Sequence, residues 1–193
     1  MIGRNHFIRV LLCVLVIFPS CSTYSLLVRH TDPLTPEQHM QLGASYEAQG
    51  LTEAAGQQYE AALRLQKKYI PAYIAKGNLA FVSGDLKKAE TCYRQVLRLD
   101  RNHAGANNNL AMVYLSLGKD MDKAERYAQT ALKQEGSLRP YVLETLASIY
   151  MQQGRTSLAW KVLEEAESAA PFDDPVLCAQ LAKTREVLAM RTE

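Results

Sequence analysis

The side chains able to do chemistry are few in this 193-residue chain, and their spacing argues against most of it. Of four cysteines, Cys13 lies inside an N-terminal apolar run, Cys21 stands directly after it, and Cys92 and Cys178 are far apart in the body of the chain. A metal site or a nucleophile–base pair needs Cys, His or acid donors on one helix face or converging from nearby elements. His6, His30, His39 and His103 have no such spacing. No glycine-rich phosphate loop and no nucleophile elbow occurs, and the acid pairs Glu164-Glu165 and Asp173-Asp174 read as a helix surface and a helix start. The expectation is a protein that is not an enzyme, with no catalytic residues, metal, cofactor or small-molecule substrate.

Cys21 has the most informative surroundings. Arg4 and Arg9 precede an apolar run from Val10 to Phe18, followed by Pro19 and the small Ser20. The run is shorter than the roughly 20 residues that cross a bilayer as a helix, and basic residues, apolar run and small residue follow the layout of a secretory signal. Phe18-Pro19-Ser20-Cys21 resembles the bacterial lipobox. That resemblance implies cleavage before Cys21, with acyl chains then placed on its sulfur and its amine; ordinary secretion and an uncleaved anchor are the alternatives. Ser22, rather than Asp, after the Cys implies an outer membrane as the destination. The expected order is a signal peptide over residues 1–20 and a lipidated tether over 21–35, held in a bacterial cell envelope by its lipid and facing the periplasm. Each buried CH2 contributes about 0.8 kcal/mol and stable attachment takes two or more chains, so the lipid suffices as an anchor. Leu26-Leu27-Val28 either dips toward lipid or packs on the body of the protein, and packing is the simpler reading.

Losing Arg4 and Arg9 with the signal leaves 20 basic residues against 20 acidic. A chain this close to neutral has no electrostatic footprint for nucleic acid, and pairs such as Lys67-Lys68 read as solvated helix faces.

The rest of the chain carries a repeated register. Leu42, Gly43, Tyr46, Gly50, Ala55 and Ala62 mark a first unit, and Gly77, Ala80, Gly84, Ala89 and Val96 a second, 34 residues on. Leu110, Ala111, Tyr114, Gly118, Ala124 and Ala131 mark a third, with one extra residue between Gly118 and Ala124. Leu146, Ala147, Tyr150, Gly154, Ala159 and Ala166, followed by Pro171, mark a fourth. The small residue lets two helices approach closely, the Tyr fills space a turn later, and the Gly closes the first helix in a left-handed conformation. This register resembles the tetratricopeptide repeat. The resemblance implies an all-α fold: a right-handed superhelical solenoid of four helix-turn-helix units over about 36–69, 70–103, 104–139 and 140–173, plus a C-terminal capping helix over 174–193. In a solenoid each repeat touches only its neighbours, so Cys92 and Cys178 are too far apart to pair, and both are expected as buried small apolar side chains.

The same resemblance implies a concave groove lined by the first helix of each unit. Its candidate partner-binding residues are Asn78, Phe81, Asn108, Asn109, Met112, Leu115 and Met151, with Met40, Ala44, Glu47, Ile74, Tyr141, Glu144 and Ser148 also facing it. Asn78 and Asn109 stand where the carboxylate-clamp subclass has asparagines. Ile74, Tyr141 and Thr145 stand where that subclass has cations, which argues against a C-terminal carboxylate as ligand. Either these side chains meet a protein or peptide partner, or they only pack and bond within the solenoid. The resulting expectation is a lipid-anchored adaptor or scaffold for protein–protein interactions, similar to the short repeat lipoproteins that serve as pilotins and assembly factors of pili and secretins. An accessory partner of an exported cysteine peptidase or of a polysaccharide-export complex is the alternative.

Overall fold

The structure is a computed structural model that describes residues 32–134 and 136–191; the signal peptide and Cys21 lie outside the described residues. From Leu34 onward the chain forms one unit. Among the described residues it has nine helices and no strand: α1 (Pro36–Ala48), α2 (Thr52–Leu65), α3 (Ile70–Val82), α4 (Leu86–Leu99), α5 (Ala104–Leu117), α6 (Met121–Leu132), α7 (Arg139–Gln152), α8 (Thr156–Ala169) and α9 (Pro175–Met190). Helices α1 to α8 pair antiparallel within each repeat, α2, α4 and α6 also touch the helix that follows, and α9 packs on both α7 and α8. This is the all-α repeat solenoid expected from the register.

Local sequence sets the boundaries. Pro36, Pro71, Pro140 and Pro175 fall in the first turns of α1, α3, α7 and α9, where the missing N–H has no intrahelical partner to lose. Thr35 accepts from Gln38 N–H while the Gln38 side chain accepts from Thr35 N–H, a reciprocal capping box. Asp85 and Asp174 cap α4 and α9 by accepting from Lys88 and Leu177 N–H. At the other ends Gly50, Gly84, Gly118 and Gly154 have φ between 64° and 78°. In the fourth unit Gly154 N–H donates to Met151 O and Arg155 N–H to Tyr150 O, so the left-handed residue returns the chain to cover orphan carbonyls. The extra residue of the third unit is absorbed in the α5–α6 turn, where Asp120 also adopts a left-handed φ of 56° and pairs with Lys123.

The helix pairs are held by small residues against each other. Ala55, Ala62, Ala89, Val96, Ala124, Ala131, Ala159 and Ala166 are all buried, at most 1% exposed. A Cβ on Gly43 would lie 2.4 Å from Tyr59 Cε1, and one on Gly77 would lie 2.4 Å from Tyr93 Cε1, so these glycines make room for a facing ring. In the third and fourth units Ala111 and Ala147 replace the glycines, and the ring positions hold the smaller Ala128 and Leu163, all buried. Small-to-large changes on one side of the pair are thus matched by large-to-small changes on the other.

Polar bonds tie each unit to the one before it. Tyr114 Oη donates to Glu90 Oε1 at 2.7 Å from α5 to α4. Tyr150 Oη donates to Glu125 at 3.3 Å, and Arg155 pairs with the same carboxylate at 2.7 Å while lying over the Tyr150 ring. Of the two body cysteines, Cys92 is buried, as expected, and burial pushes its thiol up and keeps it inert. Cys178 is exposed, against expectation: it lies in the first turn of α9 at an open cavity lined also by Ala170, Phe172, Leu181 and Arg185, with its Sγ 3.9 Å from Pro171 O.

Candidate partner-binding groove

Helices α3 and α5 bring four of the groove residues together. Asn78 lies mid-way along α3 and Phe81 and Val82 follow at its end, while Asn109 and Met112 stand one turn apart on α5. With Tyr93 of α4 these residues line a pocket of about 260 Å³. Phe81 rests partly on the core, Met112 is half-buried and Val82 is 84% exposed, so the walls are apolar and open to solvent.

The polar floor is built from a fixed network. Asn78 Oδ1 accepts from Tyr93 Oη at 2.9 Å and from Asn109 Nδ2 at 3.0 Å. Burial pushes the Tyr93 hydroxyl far above the ordinary phenol range, so it stays a donor and thereby fixes which end of the Asn78 amide faces it. Asn78 Nδ2 and Asn109 Oδ1 remain without partners among the described residues. The pair therefore offers a donor and an acceptor side by side, beside an apolar recess. A peptide backbone presents the complementary C=O and N–H, and its side chain would fill the recess.

The seven groove residues do not all converge. Asn78, Phe81, Asn109 and Met112 share the pocket. Asn108 is buried, with its Nδ2 directed to Met112 Sδ at 3.7 Å and its Oδ1 unpartnered, so it supports the pocket wall from within. Leu115 packs partly buried against the core. Met151 lines a separate cavity between α7 and α9. At the three positions where the clamp subclass has cations, Ile74 packs on the core, Thr145 is buried with its hydroxyl donating to Tyr141 O, and Tyr141 Oη donates to Asp174. Val82 and Tyr93 were not among the sequence candidates. Val82 carries the signal of an apolar residue placed just before a helix-ending Ser-Gly, whereas Tyr93 reads only as core.

Among the described residues no helix is long and apolar enough to cross a membrane, and no cluster of His, Cys, Asp or Glu could hold a metal ion.

Tetratricopeptide repeat family models match residues 39–69, 70–103 and 119–174, together more than half of the chain. The chain belongs to the tetratricopeptide repeat family. Among curated relatives, protein O-mannosyl-transferase TMTC3 of Mus musculus is 38% identical over 65 residues, covering 34% of this chain and 7% of the relative. Anaphase-promoting complex subunit 3 of Schizosaccharomyces pombe is 24% identical over 160 residues, covering 83% of this chain and 23% of the relative. This chain thus spans less than a quarter of the length of these curated relatives. Solved structures share the fold: a tetratricopeptide protein of Parabacteroides merdae matches with a TM-score of 0.71 at 21% identity, over 88% of this chain and 64% of that one. PilF of Pseudomonas aeruginosa matches with a TM-score of 0.65 at 23% identity, over 81% and 72%. A thermophilic repeat protein of Thermus thermophilus matches with a TM-score of 0.66 at 22% identity, over 79% and 82%. The family is one of protein–protein interaction scaffolds and is generally non-enzymatic.

Proposed function

We propose that this protein is a lipid-anchored adaptor of the bacterial cell envelope, which holds a protein partner in its concave groove and takes part in assembling a pilus or secretion complex. The observation that carries the binding reading is the Asn78–Asn109 pair, with an unused donor and acceptor beside the recess of Phe81, Val82 and Met112. The anchor rests on sequence: the basic residues, the short apolar run and Ser20-Cys21. The fold shared with PilF is consistent with the pilus reading. Acylation of Cys21 would fix the solenoid at a membrane without any basic patch, which suits a mature chain with balanced charge.

Metabolic labelling with an alkynyl fatty acid tests the anchor. Label on the wild type that disappears in Cys21→Ala, together with release of that variant into the soluble fraction, is the expected result. Equal label in both proteins, or a soluble wild type, would remove the membrane from this account.

A further inference from the structure

A carboxylate held by no ion pair among the described residues sits at the seam between α7 and α9. Glu144 is only 6% exposed. Its Oε1 accepts from Thr184 Oγ1 at 2.9 Å and Ser148 Oγ at 3.2 Å, and its Oε2 accepts from Gln180 Nε2 at 2.9 Å. All three donors are neutral. The arginines of this region are committed elsewhere, Arg185 to Glu167 and Arg191 to the Met151 carbonyl, while Asp174 at the start of the seam adds a second negative group, bonded by Tyr141. Glu144 also lines an open cavity of about 240 Å³, together with Met151, Gln180, Lys183, Thr184 and Val187. Lys183 is exposed and lies at the cavity without an ion pair to Glu144 among the described residues.

A buried carboxylate bonded only by neutral groups retains part of its desolvation cost, and that cost is recovered when a cation arrives. Burial accordingly pushes the Glu144 carboxyl above the ordinary range. The cavity offers apolar contact for an aliphatic stem along Met151 and Val187 and a carboxylate at its end, which is the shape and chemistry of a lysine or arginine side chain. We propose that the α7–α9 cavity is a second binding site on this solenoid, one that takes the basic side chain of a protein partner. It rests on the adaptor reading only for the identity of that partner as a protein. It names the partner's chemistry: a basic residue for this cavity, opposite in sign to the carboxylate that the clamp subclass would select.

Small probes test the site without any partner in hand. The full chain in mild detergent is titrated with N-acetyl-arginine methylamide and, separately, with N-acetyl-norleucine methylamide, following the amide signals of Gln180, Thr184 and Ser148 by NMR. The arginine probe should give saturable shifts, with the norleucine probe at least fivefold weaker. Glu144→Gln keeps the hydrogen-bonding shape and should abolish the difference, and Val187→Lys, which brings its own ammonium to the cavity, should block the arginine probe by itself. Equal shifts for the two probes, arginine shifts that survive both substitutions, or no saturable shift in the wild type would each overturn the proposal. None of these outcomes bears on the α3–α5 pocket, so the adaptor reading stands or falls separately.

Discussion

Asn109 donates its side-chain amide to Asn78 Oδ1 at 3.0 Å, joining the third repeat to the second across the floor of the pocket. The same oxygen accepts from Tyr93, so the bond serves two ends at once: it locks the scaffold on one side and leaves one amide donor and one amide acceptor outward on the other.

That double use decides which substitution is informative. Asn78→Ala would strip the acceptor from a buried tyrosine hydroxyl and cost about 1–3 kcal/mol of stability whatever the groove binds. Asn78→Asp retains the acceptor and turns the outward donor into a charged carboxylate oxygen, which repels a peptide C=O. Combined with Asn109→Ala, it should leave the unfolding free energy from urea melts within about 0.5–1.5 kcal/mol of wild type while partner affinity falls several-fold. Retained affinity would show that the pair is purely structural.

A second expectation concerns the matched glycine and ring. Gly43→Ala drives a Cβ into Tyr59 and should destabilise by about 1–3 kcal/mol. Adding Tyr59→Leu, which copies the Ala147 and Leu163 combination of the fourth repeat, should recover part of that loss, giving a coupling of about 1 kcal/mol by double-mutant cycle. Strict additivity would mean that the two positions do not share one packing volume.

Much of this was legible in the sequence because the repeat register is dictated by sterics that recur. Gly50, Gly84, Gly118 and Gly154 stand where a left-handed residue is required, and the alanines of the second helices stand where two backbones touch. The extra residue of the third unit was visible, but the left-handed Asp120 that absorbs it was not, because only the closed turn imposes that φ. The site was legible in part. Four groove residues meet because register positions on adjacent first helices are neighbours, yet Asn108 turns inward and Met151 joins α9, since how far a terminal helix slides along its neighbour is set by packing and not by the repeat.

Glu144 gives a stability prediction with a definite sign. Its folded carboxyl titrates above the ordinary value of 4.5 because burial disfavours the charge, so the fold favours the protonated form. That contribution is fully present below the ordinary value and is lost as pH rises through the folded one. Glu144→Gln, which does not titrate, should therefore gain on the wild type as pH rises from about 4 toward 7. A wild type that instead gains on the variant over this range in urea melts would mean that the charge itself stabilises the α7–α9 seam.

The most direct test of the central claim, that the concave pocket is where a partner sits, is site-specific photo-crosslinking in intact cells. p-Benzoylphenylalanine is placed at Val82, in the pocket and exposed, and in parallel at Lys161, exposed on α8 away from it. A discrete adduct from Val82 that is reduced by Asn78→Asp, with none from Lys161, is the predicted result. An adduct from Lys161 and none from Val82 would place the partner on the opposite face and contradict the account.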